Sequence, residues 1–450
     1  MRRGSIRKER RFPPAQVLAI SFALAILVGA FFLWLPFSTT SGHISAVDAI
    51  FTATSAVCVT GLIVQDTPTY FSPVGHVIIL ILIQLGGLGI ITFSTLILLV
   101  AGKAISIKDR LVVQNGFVPT VHRDVRSLIK DIFLYTIIIE IAGAVSLFIR
   151  FLKDFPPDRA LSLSGFHAVS AFCNAGFSLF SQSFVPYRED VWLNVTVILL
   201  IVLGGLGFLV QKESVTCLFY SFKRKKVRMS LHSKLVLSMT LIFILFSFLL
   251  FFLMEQNHAL KGYSFKGKML ASLFQTVTPR TAGFNTIDLT TIGTASVLLL
   301  LLLMLVGASP GSTGGGVKTS TIGVIFAFLR AKISARDSVH LFYRTIPSDT
   351  TVKAFTLFSL ALSLIFFSSF LLLWNQPELT MKEAVFEVFS AFGTVGLSLG
   401  TTFKLNTVGK VVIIVTMYMG RVGLLTLLYA FTRFKAHGKY AYVEESVMIG

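Results

Sequence analysis

The chain has 450 residues, of which 54% are hydrophobic and only 14% charged, with a formal net charge of +19 and a mean hydropathy of +0.79. Soluble domains carry about 25% charged residues, so the composition excludes an ordinary soluble protein. A basic chain can bind nucleic acid. Here the basic residues lie in short segments beside apolar runs, so we expect no nucleic-acid partner and expect membrane lipids with anionic headgroups as neighbours.

Eight long apolar runs follow one another along the chain. Most of them reach the roughly 20 residues that a helix needs to cross a bilayer, which predicts an all-α polytopic membrane protein. The first run is long and lacks a small-residue cleavage site, so it does not read as a cleavable signal. The runs are Val17–Leu35, Val77–Val100, Ile132–Ile149, Val191–Val210, Leu235–Met254, Val297–Val306, Ala354–Trp374 and Val411–Phe431.

The distribution of charge predicts the orientation. With a cytosolic N-terminus and eight crossings, the cytosolic stretches hold 28 Lys and Arg and 9 Asp and Glu, a difference of +19, whereas the outer stretches hold 11 of each. The whole net charge then lies on one face, as the positive-inside rule requires. We expect a multi-pass plasma-membrane protein with both termini in the cytosol. The cytosolic stretches are 1–13, 101–131, 211–234, 318–353 and 433–450.

Four short motifs recur along the chain, each a glycine that follows two small or β-branched residues and precedes Leu or Phe. Their glycines are 115, 107 and 113 residues apart, which predicts four copies of one unit. Four backbone segments that meet on one axis can surround a dehydrated cation with carbonyl oxygens. The motifs are Val59-Thr60-Gly61-Leu62, Asn174-Ala175-Gly176-Phe177, Thr281-Ala282-Gly283-Phe284 and Thr394-Val395-Gly396-Leu397.

Each predicted repeat contains a long span, a short helix, the glycine motif and a second span. The short helix is too short to cross and lies between two spans, which predicts a re-entrant segment buried in protein. The fold class is therefore four such units in pseudo-fourfold arrangement around one pore. The predicted short helices are 47–58, 164–173, 268–280 and 380–393. The predicted divisions are a cytosolic N-terminus 1–13, repeats 14–101, 128–211, 233–330 and 351–433, and a cytosolic tail 434–450.

The motifs contain no carboxylate, so carbonyl geometry would provide the selectivity. This favours a monovalent cation over Ca²⁺, which prefers carboxylate ligands, and the carbonyls disfavour an anion. We expect no cofactor beyond the transported ion. The residues predicted to line the filter with their backbone carbonyls are Val59, Thr60, Gly61, Asn174, Ala175, Gly176, Thr281, Ala282, Gly283, Thr394, Val395 and Gly396.

The third repeat differs, because its second span is interrupted by five glycines and a proline that cannot stay helical. The stretch resembles a phosphate-binding loop, but Val317 separates Gly316 from Lys318 and the required spacing fails. We therefore interpret residues 307–317 as an intramembrane loop that obstructs or opens the pore. The predicted gate consists of Gly307, Ala308, Ser309, Pro310, Gly311, Ser312, Thr313, Gly314, Gly315, Gly316 and Arg421.

Arg421 is a charge inside a span, which usually has a partner or a function. It lies 25 residues after Gly396, as Ala308 lies 25 residues after Gly283, so the repeats place it at the depth of the loop. Two partners remain open, the free carbonyls of the broken helix and Glu140. The stretches 86–89 and 204–207, both Gly-Gly-Leu-Gly, are interpreted either as hinges or as close-packing small residues.

The chain resembles the Trk/Ktr/HKT potassium transporters, and among them the KtrB/KtrD-type membrane subunit. The resemblance implies four M1–P–M2 units around a K⁺ pore, a homodimer, and a cytosolic nucleotide-binding regulatory ring of the KtrA/KtrC type as a separate protein. In that family, glycine in all four motifs accompanies K⁺ selectivity and serine in the first accompanies Na⁺ transport. The stretches that carry the resemblance are Phe274–Asn285, Ser390–Leu397, Gln84–Gly89 and Met419–Gly423.

Several functions compete at this point. The leading hypothesis is channel-like K⁺ uptake driven by the membrane potential, and the alternatives are Na⁺ transport or cation symport on the same fold. A proton-coupled carrier usually keeps ionisable residues at the midplane, where only Glu140 and Arg421 qualify. An enzymatic function is not supported, because the sequence shows no paired carboxylates, metal cluster or nucleophile constellation. The sequence leaves open whether Na⁺ is an activator.

Overall fold

The computed structural model describes residues 14–100, 125–223, 228–431, 445 and 448. Within these ranges the chain is mostly helical, with one short β-hairpin. The predicted tails 1–13 and 434–450, apart from Glu445 and Met448, lie outside the described residues.

The first span of each repeat is one long apolar helix. The side chains on one side of these helices stay exposed, including Leu24, Ile138, Leu245 and Phe366, as expected for a surface that faces lipid. In the third repeat the Ser230 hydroxyl caps the helix by accepting from the Ser233 amide, which satisfies one of the free donors at a helix start. The four helices are α1 (Pro14–Trp34), α5 (Val125–Phe151), α9 (Leu231–Glu255) and α13 (Ser348–Asn375).

Four short helices lie at or near the positions predicted for the re-entrant segments. Side chains cap three of them at the start: Ser45, Ser264 and Thr380, the last in a capping box with Glu383. The second begins at Pro157, seven residues earlier than predicted, because proline is well suited to the first helical turn. The helices are α2 (Ala46–Val57), α6 (Pro157–Phe172), α10 (Phe265–Val277) and α14 (Met381–Gly393).

The second spans are bent in all four repeats, not only in the third. The predicted continuous spans 191–210 and 409–432 are wrong, because each is two helices that meet at 107° and 92°. Gly207 and Gly423 stand at these bends with φ of 89° and 90°, a backbone that glycine adopts readily. The helices are α4 (Pro73–Val100, kinked at Gly89), α7 (Val191–Leu206), α8 (Phe208–Phe222), α11 (Thr294–Leu305), α12 (Thr319–Ile333), α15 (Thr407–Val422) and α16 (Leu424–Phe431).

Length and composition support a multi-pass membrane protein. In the described part of the chain, four helices are long and apolar enough to cross a bilayer, and six spans result if each bent pair counts as one. Among the described residues, the shorter apolar helices are Ala46–Val57, Pro73–Gly89 and Thr294–Leu305. The predicted eight crossings and the orientation of the termini stay predictions.

Short elements complete the fold. A hairpin pairs β1 (Val339–Leu341) with β2 (Arg344–Ile346) in antiparallel register between α12 and α13. The helix α3 (Thr67–Tyr70) lies between the first motif and α4. An ion pair of 2.6 Å joins Asp48 of the first repeat to Lys410 of the fourth, so the first and last units of the chain are neighbours.

Candidate ion pathway

The four glycine motifs form a closed ring. At each glycine, a methyl group in place of the hydrogen would collide with the carbonyl oxygen of the residue before the glycine in the next repeat. The four backbone segments are therefore in direct contact, in the order of the repeats. The distances from such a methyl carbon are 2.5 Å from Gly61 to Ala175 O, 2.9 Å from Gly176 to Ala282 O, 2.4 Å from Gly283 to Val395 O and 2.2 Å from Gly396 to Thr60 O.

All four motifs share one unusual backbone conformation. Their first residues have positive φ of 56°, 59°, 74° and 51° at Val59, Asn174, Thr281 and Thr394, and their glycines have φ of 71° to 91°. A β-branched residue at positive φ is a strained outlier, and such residues cluster at functional sites. The sequence indicated the glycines. Of the first residues, only Asn174 is of a type that often adopts positive φ, whereas Val59, Thr281 and Thr394 do not favour this conformation.

Hydroxyl groups of the short helices hold the motifs. Ser55 Oγ accepts from the Gly61 amide at 3.0 Å and Ser390 Oγ accepts from the Gly396 amide at 3.1 Å. Ser170 Oγ instead donates to the Phe177 carbonyl at 2.7 Å. In the third repeat Thr278 Oγ1 donates to the Phe284 carbonyl at 2.6 Å. Val277 occupies the position six residues before Gly283 that the serines occupy in the other repeats, and Thr278 lies one position later.

The intramembrane loop lies directly against two of the motifs. A methyl group on Gly314 would stand 2.2 Å from Thr281 Oγ1, and one on Gly315 would stand 2.6 Å from Thr394 Oγ1. The Gly315 amide donates to that Thr394 hydroxyl at 2.9 Å. The loop therefore contacts the first motif residues of the third and fourth repeats.

Backbone hydrogen bonds join the loop to the second spans of two neighbouring repeats. These spans are the second and the fourth, and they contribute their glycine-rich segments. Within the loop, the Gly307 amide donates to the Val317 carbonyl at 2.9 Å and closes its base. The bonds to the neighbours run from Ser309 N to Gly205 O at 3.0 Å, Thr313 N to Gly204 O at 3.3 Å, Phe208 N to Gly311 O at 3.0 Å and Gly316 N to Gly420 O at 3.3 Å.

Arg421 is buried and its guanidinium donates to two backbone carbonyls, those of Thr313 in the loop and Gly86 in the first repeat. Glu140 is instead bound by the Gln84 amide at 3.2 Å. Of the two partners that the sequence left open for Arg421, the structure therefore supports the loop carbonyls. A guanidinium carries five donors and suits such bridging.

Lys318 is a second basic residue at the loop, and the sequence did not predict its role. Its ammonium donates to the carbonyls of Gly314 at 2.7 Å and Gly315 at 3.3 Å. The signal was present, because a lysine that follows a run of glycines is well placed to satisfy their free carbonyls. From the sequence, Lys318 is interpreted only as part of a phosphate-binding pattern whose spacing fails.

The glycine-rich stretches of the second spans contain both bends and close-packing positions. Gly89 and Gly207 stand where the backbone leaves the helix, with φ of 31° and 89°. Gly86 and Gly204 instead pack against the ends of the short helices, since a methyl group there would lie 2.0 Å from the Val57 carbonyl and 1.9 Å from the Phe172 carbonyl.

The ring of four glycine motifs, the four short helices and the broken third span agree with a cation transport protein of the membrane. A family model described as "TrkH: Cation transport protein" matches residues 9–441, and the chain belongs to this family.

Relatives and solved structures agree with this assignment. The chain is 40% identical over 436 residues to the Ktr system potassium uptake protein B of Bacillus subtilis, covering 96% of each chain. It is 38% identical to the potassium/sodium uptake protein NtpJ of Enterococcus hirae, covering 99% of each chain. The crystal structure of the potassium transporter TrkH from Vibrio parahaemolyticus superposes with a TM-score of 0.72 at 22% identity, over 96% of this chain and 87% of that one.

Proposed function

We propose that the protein takes up K⁺ through a filter formed by the four glycine motifs. The observation that carries the proposal is the closed ring, in which each glycine meets a carbonyl of the next repeat. Rings of backbone carbonyls replace the hydration shell of K⁺ in selective pores. The membrane potential would drive the ion inward with about 2.3 kcal/mol per charge for each 100 mV.

The relatives support K⁺ as the ion, because the Bacillus subtilis relative is named a potassium uptake protein. Na⁺ transport is the second candidate, since the name of the Enterococcus hirae relative includes sodium. Glycine at the third position of all four motifs favours K⁺, because the resemblance associates serine in the first motif with Na⁺.

The intramembrane loop is proposed as the gate of this pathway. It contacts Thr281 and Thr394 of the ring, and the positive charges of Arg421 and Lys318 beside it would oppose a passing cation. The printed name of the Bacillus relative refers to a Ktr system, which agrees with a separate regulator. We propose a homodimer whose cytosolic face binds a nucleotide-binding regulatory ring, with both termini on that face.

Gly61→Ser tests the filter. A side chain at this position meets the Ala175 carbonyl at 2.5 Å, so it displaces one of the four carbonyls. We expect the ratio of K⁺ to Na⁺ uptake by proteoliposomes to fall about tenfold, the equivalent of 1.4 kcal/mol. Gly42→Ser is the matched control, since Gly42 also has positive φ (75°) but nothing lies within 4 Å of the added group.

Two outcomes bear on the proposal. A selectivity change in Gly61→Ser with none in Gly42→Ser supports a filter at the ring. Unchanged selectivity and rate in a correctly inserted Gly61→Ser protein would show that Gly61 does not line the ion path.

A further inference from the structure

A buried carboxylate stands behind the ring in the fourth repeat. Glu387 lies on α14, nine residues before Gly396, and is fully buried. Its Oε2 accepts from the Ser398 hydroxyl at 2.8 Å and its Oε1 from the Thr402 hydroxyl. No ion pair of the described residues includes it. Burying such a group is costly without compensating hydrogen bonds, so this arrangement requires an explanation beyond packing.

Ser398 connects Glu387 through hydrogen bonds to the backbone just after the motif. Its oxygen accepts from the amides of Gly400 and Thr401, each at 3.1 Å. The hydroxyl proton of Ser398 is therefore free to donate to Glu387. The carboxyl group thus orients the Ser398 hydroxyl, which holds the segment that follows Gly396 in the chain.

The second repeat contains the same arrangement with a different group. His167 lies nine residues before Gly176, is fully buried, and contacts Ser178 Oγ at 3.0 Å through Nε2. The Ser178 oxygen accepts from the Phe180 amide at 3.0 Å, as Ser398 accepts from Gly400. Glu387 and His167 each precede their serine by eleven residues, so the two contacts occupy equivalent positions.

The hydrogen bonds of His167 determine its tautomer. Nδ1 lies 2.8 Å from the Leu163 carbonyl, which can only accept, so Nδ1 carries the proton. Nε2 then accepts, from the Ser178 hydroxyl and from the Leu179 amide at 3.3 Å. The ring stacks on Phe180 at 4.8 Å between centroids, which holds the imidazole in this orientation.

The first and third repeats lack this contact. Thr52 and Phe274 occupy the positions nine residues before Gly61 and Gly283, and Ile63 and Asn285 replace the two serines. Because the ring follows the order of the repeats, the second and fourth repeats face each other across its axis. The buried acceptors therefore stand on two opposite sides of the ring.

We propose that Glu387 and His167 are positioning residues of the ion path, which hold the backbone after Gly396 and Gly176 through Ser398 and Ser178. The inference rests on the proposed filter and adds that its outer end is fixed by buried acceptors on opposite sides. Loss of either acceptor frees a serine and the segment that it binds. The carbonyls of that motif then move, and K⁺ loses its advantage over Na⁺.

The experiment compares K⁺, Rb⁺ and Na⁺ uptake by proteoliposomes, with the half-saturation constant and the maximal rate determined for each ion. Glu387→Ala and His167→Phe remove the acceptors, and His167→Phe keeps a ring of the kind that Phe274 supplies in the third repeat. Each is expected to lower the ratio of K⁺ to Na⁺ uptake about two- to tenfold, the range for one lost hydrogen bond, and to raise the half-saturation constant for K⁺.

Two further variants complete the set. Glu387→Gln keeps one oxygen that can accept from Ser398, so its selectivity is expected to lie between those of Glu387→Ala and the parent. Glu383→Gln is the matched control, because Glu383 stands one turn earlier on α14 and pairs with Lys404 at 2.7 Å on the surface. Its selectivity is expected to equal that of the parent.

A purely structural role predicts something different. The maximal rates for all three ions would then fall by one common factor, with unchanged half-saturation constants and no rescue by Glu387→Gln, and the proposal would be overturned. If Glu387→Ala does not fold, Glu387→Gln and His167→Phe decide the question. If Gly61→Ser alters selectivity and these variants do not, this inference fails alone. If none of them alters it, the filter proposal fails as well.

Discussion

Deletion of Gly314–Gly316 should weaken the contacts that hold the intramembrane loop in place and so open the proposed ion path. The deletion eliminates the bonds from the Gly315 amide to Thr394 and from the Gly316 amide to Gly420. It also removes both carbonyls that accept from Lys318. Two net hydrogen bonds contribute about 1–3 kcal/mol, and those to the ammonium contribute more because charge strengthens them. We expect a higher K⁺ flux and less dependence on the regulatory partner.

Arg421→Ala should act in the same direction, but more weakly. Only one of its two bonds, that to the Thr313 carbonyl, holds the loop, and the other binds Gly86. One charge-assisted bond of about 1.5–3 kcal/mol would change the ratio of closed to open states by about 10- to 150-fold. Arg421→Lys is the matched variant, because it keeps the charge but cannot bridge both carbonyls with a planar fork. Its K⁺ flux should therefore lie between those of the parent and Arg421→Ala.

The assay is initial K⁺ uptake by proteoliposomes at equal protein content, with and without the regulatory ring. The reasoning is refuted if the deletion gives a folded, correctly inserted protein whose flux and regulation match the parent. The loop would then be a structural break in the span. The order of K⁺ flux among the three variants is a second check. If flux rises most in Arg421→Lys, the hydrogen bonds assigned to Arg421 do not hold the loop.

Two other predictions concern the cytosolic face and the packing of the spans. Gly204→Ala should lower the thermal stability of the detergent-solubilised protein by the equivalent of about 1–3 kcal/mol, because its methyl group would lie 1.9 Å from the Phe172 carbonyl. Gly165→Ala, with nothing within 4 Å, should not lower it. If the basic cluster binds the regulatory ring, neutralising it should weaken co-purification of the protein with that ring. Retained binding with altered lipid dependence would instead assign the cluster to lipid anchoring. Only the first and last residues of the cluster are among the described residues. The cluster is Lys223, Arg224, Lys225, Lys226 and Arg228.

Much of the fold could be predicted because apolar length and internal repetition are strong signals. The short helices and the break in the third repeat appear in the structure at or near the predicted positions, since the glycine period aligned four copies and proline with five glycines cannot remain helical. The sequence left a bend at Gly207 open as one of two alternatives, and it did not predict the bend at Gly423. A single glycine in an apolar run reads equally well as a packing site, and only tertiary contacts decide between the two.

The candidate site was predictable in its backbone and less so in its side chains. The motif glycines are together because only glycine permits the close approach at Gly61 and its equivalents. The sequence missed Lys318 and Thr278 as binding groups, and assigned no role to His167 or Glu387. Their partners lie close by in the chain, as Gly314 does for Lys318 and Phe284 for Thr278. Which carbonyl or hydroxyl lies opposite each side chain depends on the non-helical backbone of the loop and of the motifs, and that backbone has no periodic signal in the sequence.

In the part of the chain that the structure describes, a glycine- and proline-rich loop of this kind interrupts only the third repeat, although the sequence predicts four copies of the unit. It meets the ring at Thr281 and Thr394 and the glycine-rich segments of the second and fourth repeats, and Arg421 connects it to the first. A symmetric tetramer of separate chains would carry four identical loops or none. Joining the four units in a single polypeptide allows one unit to diverge while the other three keep the surfaces that contact it, so a single loop can lie against a ring that all four units build.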